Sequence, residues 1–383
     1  MRLVNARYFD DEFQLKEGQI QVRDGKIVSF DPSGERDVQT YDAQGCFVLP
    51  GLIDIHIHGC GGAQLSDASP AAISKMSRFL AREGITAFVP TTISQPKEAL
   101  FAQVEAAAKA AHAHSGGAHI LGIHLEGPFF SPDKAGIQPR ENLMEPDFDL
   151  VEELDRRSDG LVRMVDLAPE LPGGMEFICR AKEHYIVGIA HSNSDYDTAV
   201  RAMAMGANHA THLFNAMSGF GHREPGVVGA VFDSDTAPTA ELIADGNHLH
   251  PAVIRTAFRL LGPDRAILIS DGLAPAGLDD GEYRLGDIPI RVKNGLCRGL
   301  DGTIAGSAVT LMEVLRRAVR FGVPFDRALR AATINPARLL GLDAQIGSIA
   351  VGKQADLTVV DSKLQVQRVF LSGRPFNRAL VNG

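Results

Sequence analysis

The sequence predicts an α/β fold, a closed (β/α)8 TIM-like barrel with a small β-sandwich domain built from both termini. Three observations lead there. Between residues 51 and 344, eight short apolar runs alternate with stretches of helical periodicity. Each run is almost continuously apolar, as parallel strands buried on both faces require, rather than alternating as in an open sandwich. Outside that span, at 1–50 and 345–383, short alternating segments and Gly-rich turns replace the pattern. Each end is too small to bury a core alone, so the two are expected to pair. An open doubly wound sheet is the competing architecture, but no Gly-rich dinucleotide fingerprint follows any strand.

Taken in order, Gln19-Ile20-Gln21-Val22-Arg23 alternates, Asp24-Gly25 signals a hairpin turn, and Lys26-Ile27-Val28-Ser29-Phe30 alternates again. Leu49-Pro50-Gly51 breaks the pattern and leads into the first barrel strand. The remaining strands are expected at 86–92, 119–126, 162–169, 185–191, 209–214, 240–245 and 266–271. Ala-rich amphipathic stretches at 70–83, 96–113 and 197–205 supply helices between them, and 325–332 and 335–340 read as helices that close the barrel. The tail returns to short strands at 347–349, 355–360 and 365–371.

A length of 383 residues accommodates one large barrel with an appendage. No apolar run approaches the ~18–20 residues that span a bilayer, and residues 1–8 lack a signal-peptide pattern. A net charge of -9 argues against a general nucleic-acid partner. Cys46, Cys60, Cys179 and Cys297 are scattered, which suits reduced thiols in a cytoplasmic protein. Cys60 follows His58 by two residues, and reads either as a neighbour of a metal or as a small buried residue in a Gly-rich turn.

The first strand, Leu52-Ile53-Asp54-Ile55-His56-Ile57-His58-Gly59, organises the functional reading. Side chains two apart on a strand share a face, roughly 7 Å apart, so both imidazoles can reach one ion. Active sites of such barrels gather at the carboxyl ends of the strands. The polar residues there are His56 and His58, Glu126, His191, His212 and Asp271. Four imidazoles and two carboxylates make a nitrogen and oxygen ligand set for one or two divalent ions, Zn²⁺ or Fe²⁺. The plainer reading of any single member is a hydrogen-bonded core residue. Six falling at the expected strand ends favour a site.

These residues lie in segments that resemble the amidohydrolase superfamily, and within it the N-acetylglucosamine-6-phosphate deacetylase family. The segments are Pro50–Gly59, His124-Leu125-Glu126-Gly127-Pro128-Phe129, Ala190-His191-Ser192-Asn193, Thr211-His212-Leu213-Phe214-Asn215-Ala216-Met217, Arg223-Glu224-Pro225-Gly226, Ala244-Asp245-Gly246-Asn247-His248 and Ser270-Asp271-Gly272. The resemblance implies that Glu126, His191 and His212 hold the principal metal. His56 and His58 would hold a second, with Glu126 able to bridge and Asp271 serving as general base. It implies removal of an acetyl group from a phosphorylated amino sugar. It also implies a homodimer in which Arg223 and His248 reach the phosphate in the neighbour's site, with amide donors near Asn215 and Ala216. Some members carry a histidine where this chain has Gln138, which can hydrogen-bond a sugar but cannot titrate. His124 is read as support for Glu126, and His209 as facing away from the site.

Three rivals stay in view: the galactosamine epimer as substrate, a hydrolase of N-acyl-amino acids or dihydropyrimidines, and a non-catalytic sugar-phosphate sensor. The second offers no reason for Arg223 and His248 to face a phosphate, and the third has no use for Asp271.

Overall fold

The structure is a computed structural model that describes residues 1–31, 39–113, 115–377 and 379. Its centre is a parallel barrel. The strands are Leu52–Ile57, Ile85–Pro90, a third in two pieces (His119–Ile120 and Ile123–Leu125), Val162–Leu167, Ile186–Ile189, His209–Ala210, Thr239–Leu242 and Ala266–Leu268. Neighbours pair in parallel throughout. Bridges from Thr91 to His124 and from Ile57 to Gly272 join the two hydrogen-bonded arcs, so the eighth strand returns to the first.

Most of these strands end earlier than the apolar runs suggest, and the reason is backbone conformation. His191, His212 and Asp271 have φ of 44°, 31° and 45°, in the left-handed region where a strand cannot continue. They stand on the loops just past the ladder.

The helices start where local chemistry dictates. Ser69 accepts from the backbone N–H of Ala72 to cap Pro70–Arg82, with proline at its first position. Asp147 and Asp195 cap Phe148–Arg157 and Tyr196–Met205 in the same manner. Apolar faces of these helices enclose a continuous core with the outer surface of the barrel.

A polar layer lies inside the barrel, below its carboxyl mouth. Asp166 accepts from Thr211 Oγ1 at 2.9 Å and lies 2.9 Å from His124 Nε2. Gly188 leaves room for it, because a Cβ there would stand 2.0 Å from Asp166 Oδ1.

Both termini contribute to one eight-stranded sheet. Its order runs Arg374–Pro375, Val366–Leu371, Leu357–Val360, Phe47–Pro50, Arg2–Phe9, Leu15–Arg23 and Lys26–Phe30, with Thr40–Asp42 beside Arg2–Phe9. Phe47–Pro50 pairs antiparallel with Leu357–Val360, joining the two ends of the chain. Leu3, Ile20, Val48, Leu357 and Phe370 fill a core of its own. The strand expected at 347–349 is absent. Those residues bend instead, with Gly347 at a φ of 91°.

Among the elements that the sequence reading did not name, two stand next to the site. One is the helix Leu311–Arg320. The other is a four-stranded antiparallel sheet, Gly281–Leu285, Ile288–Lys293, Leu296–Gly299 and Ile304–Ser307, inserted after the eighth barrel strand. Ser307 donates its N–H to Asp271 O at 2.7 Å, so the insert braces the end of that strand. Among the described residues, no helix is long and apolar enough to cross a membrane.

Candidate metal centre and catalytic site

The fold gathers all six strand-end residues into one buried cluster with Glu126 at its middle. Glu126 Oε1 lies 3.2 Å from His191 Nε2, 3.0 Å from His212 Nε2 and 3.7 Å from His56 Nε2. Its other oxygen is 3.5 Å from His58 Nε2. Asp271 Oδ1 faces the same pair of imidazoles, 3.2 Å from His58 Nε2 and 3.6 Å from His56 Nε2. Two ligand sets meet here, Glu126 with His191 and His212, and His56 with His58 and Asp271, while a third close group, His56 with His124 and Glu241, lies on the Nδ1 side of His56.

Three of the four imidazoles are tethered from behind, whereas His212 Nδ1 is buried without a hydrogen-bond partner among the described residues. His56 Nδ1 lies 2.9 Å from Glu241 Oε2, His58 Nδ1 3.1 Å from the carbonyl of Thr91, and His191 Nδ1 2.8 Å from the carbonyl of Lys134. Those oxygens only accept, so Nδ1 carries the proton in each ring. In the neutral ring Nε2 then presents a lone pair to the cluster, the usual arrangement behind metal-binding histidines. Stacking on Phe130, with ring centroids 4.4 Å apart, fixes the plane of His191.

Lone pairs facing carboxylate oxygens repel one another unless a cation lies between them. His56 Nε2 is buried without a hydrogen-bond partner among the described residues, as an unfilled ligand position would be. With protein groups alone, burial disfavours charge on Glu126 and His212. The neighbouring imidazoles nevertheless hold Glu126 well below the usual carboxylate range, and against the same burial Glu126 pushes His212 up to about 9. The donor set fits a divalent metal ion.

Asp271 is held rather than loose. Its N–H donates to His56 O at 3.0 Å and its carbonyl accepts from Ser307, while its side chain keeps 11% of its surface open. Gln138 is engaged at both ends of its amide. Its Nε2 donates to Glu126 Oε2 and its Oε1 accepts from the N–H of Ser94, each at 2.7 Å. One hydrogen of that amide is not used in these contacts.

The contacts of the expected phosphate-binding groups are with other residues than those of the cluster. His248 Nδ1 is 2.9 Å from Asp245 Oδ2, and Asp245 Oδ1 accepts the N–H groups of Asn247 and His248 at 2.8 Å. Arg223 is exposed on the loop that carries Phe220, itself 59% exposed. The Asn215 side chain donates to the carbonyls of His212 and Leu213, closing the turn after the sixth strand. Ala216 approaches the cluster: a Cβ at Gly136 would lie 3.8 Å from Ala216 Cβ and 3.4 Å from His191 Cε1.

Cys60 points away, its thiol 3.8 Å from the carbonyl of Met76. His124 lies in the polar layer, beside Asp166 and with its ring 4.8 Å from that of His56. His209, read from sequence as facing away, is fully buried 3.1 Å from Glu241 Oε1. The residues contacting these histidines that sequence reasoning missed are Glu241, Asp166 and Asp245. A lone carboxylate inside Thr239-Ala240-Glu241-Leu242-Ile243 was the available signal, because an acid is seldom buried without a partner.

A buried cluster of four histidines and two carboxylates at the carboxyl mouth of a parallel barrel defines a metal-dependent hydrolase scaffold. The amidohydrolase family model matches residues 47–377, and the chain belongs to that metal-dependent family. It is 39% identical to the N-acetylglucosamine-6-phosphate deacetylase of Bacillus subtilis, an alignment covering 92% of this chain and 91% of the relative. It is 33% identical to the N-acetylgalactosamine-6-phosphate deacetylase of Escherichia coli O157:H7, over 96% and 97% of the two chains. The crystal structure of N-acetylglucosamine-6-phosphate deacetylase from Pasteurella multocida superimposes with a TM-score of 0.92 at 31% identity, covering 98% of each chain.

Proposed function

We propose that this enzyme hydrolyses the acetamide of N-acetylglucosamine 6-phosphate, releasing glucosamine 6-phosphate and acetate. The observation that carries this reading is the complete ligand cluster in a chain similar over nearly its whole length to deacetylases of that name. Glu126, His191 and His212 hold the principal divalent ion, with His56 and His58 available to a second beside Asp271. Zn²⁺ and Fe²⁺ both suit these donors. When bound, such an ion lowers the pKa of water toward neutrality and polarises the acetyl carbonyl.

The remaining work falls to the chain's own groups. Asp271 takes a proton from the attacking water and returns it to the amine as the C–N bond breaks. Its backbone bonds hold the carboxylate at the cluster through both transfers. Arg223 offers a planar fork that matches phosphate oxygens, and His248, oriented by Asp245, offers a second donor. We assign both to the site of a neighbouring subunit in a homodimer. Gln138 and the turn at Asn215 and Ala216 border the sugar. The free cysteines suit a cytoplasmic enzyme.

The galactosamine epimer is the second reading, favoured by the similarity to the Escherichia coli enzyme. Acetate release from both 6-phosphates and from unphosphorylated N-acetylglucosamine separates the readings. Rapid release from the glucosamine derivative alone is expected. Release only from the epimer moves the error to the sugar wall near Gln138, and equal release from the unphosphorylated sugar overturns the phosphate assignment.

A further inference from the structure

Glu241 lies in the seventh barrel strand, fully buried, and belongs to neither ligand set described above. Its Oε2 is 2.9 Å from His56 Nδ1 and accepts the backbone N–H of His212 at 3.0 Å. Its Oε1 faces His209 Nε2 at 3.1 Å, and His209 Nδ1 in turn lies 2.7 Å from Thr239 Oγ1. One side chain thus touches a histidine from each ligand set, one through its ring and the other through its backbone.

We propose that Glu241 is a positioning residue which holds His56 in the ring state and orientation that a second ion requires, while pinning the sixth strand at His212. The inference rests on the two-ion reading of the cluster. A carboxylate accepting from Nδ1 leaves Nε2 of His56 as the ligand atom and stops the ring from turning. The same oxygen fixes where His212 leaves its strand, at a φ of 31° that few residues adopt unaided. Loss of the carboxylate therefore removes the one hydrogen bond of the His56 ring among the described residues but only loosens His212, whose ring keeps its contact with Glu126. The two ligand sets should respond unequally.

The test is metal titration of the metal-stripped full chain with Zn²⁺, following both equivalents by competition with a chromophoric chelator. Glu241→Leu keeps the bulk and removes the acceptors. It is expected to weaken the second equivalent about 10–100-fold, the usual effect of removing a partner behind a metal-bound histidine, with a smaller change in the first. Glu241→Gln retains one oxygen able to accept from His56 and should restore most of that affinity, a rescue that a merely space-filling role would not show. Should the leucine variant fail to fold, Glu241→Asp withdraws the carboxylate from His56 at unchanged charge and should lose the second equivalent alike. Two equivalents bound by the wild type, with unchanged affinities in the leucine and aspartate variants, overturn this inference alone. Fewer than two equivalents in the wild type overturn it together with the two-ion reading.

Discussion

Asp271 has the position and the constraint that a proton carrier needs. Its carboxylate faces two imidazoles while its backbone is fixed to the first strand and to the inserted sheet. Asp271→Asn preserves shape but removes the acceptor for the proton of water. We expect kcat for acetate release to fall by about 10²–10⁴-fold. The ion held by Glu126, His191 and His212 and the unfolding midpoint should stay near wild type, and an unchanged kcat would place the proton transfer on another group. Asp271 was legible in the sequence because it ends an apolar run, and the same holds for the five other residues of the cluster. What holds them in place was not legible. His56 and Glu241 are separated by 185 positions, and no local pattern announces that they meet. Gln138 illustrates the same limit: its residue type allows a sugar contact, but only the folded loop shows its amide spanning Glu126 and Ser94.

The strands carry a second requirement, a polar layer beneath the metal cluster. Gly188 in the fifth strand leaves the space that Asp166 fills between His124 and Thr211. Gly188→Ala drives a methyl into that carboxylate and is expected to destabilise the fold by about 1–3 kcal/mol, read as a lower urea midpoint at unchanged slope. A midpoint equal to wild type would show that the layer yields without cost. Barrel strands were legible because burial on both faces imposes near-continuous apolar runs, whereas only the Ala-rich helices at 70–83, 96–113 and 197–205 stood out between them. The inserted sheet was missed although Asn294-Gly295 is a hairpin turn signal, with φ of 54° and 70°. Its strands Gly281–Leu285 and Ile288–Lys293 are exposed at alternate positions, so charged residues interrupt the apolar pattern on which the barrel assignment relied. Pairing of the two chain ends was inferred from need, whereas its register, Leu357 opposite Pro50, required the structure.

The complete enzyme is expected to work as a pair of chains, each lending Arg223 and His248 to the other. Subunit mixing tests this. Co-expressed Asp271→Asn and Arg223→Ala chains, each inactive alone, would form hybrids with one intact site when the arginine acts across the interface. Recovery of about one quarter of wild-type activity is expected for random pairing of a two-fold dimer. No recovery would place Arg223 in its own chain's site. The fold class and the ligand positions together led from sequence to a metal-dependent deacetylase, and one experiment bears on that conclusion most directly. The chain would be stripped of metal, then reconstituted stepwise with Zn²⁺ or Fe²⁺ while acetate release from N-acetylglucosamine 6-phosphate is followed. No turnover above background in the stripped protein, rising with bound metal to full activity, is the expected result. Full turnover by the stripped protein would contradict it.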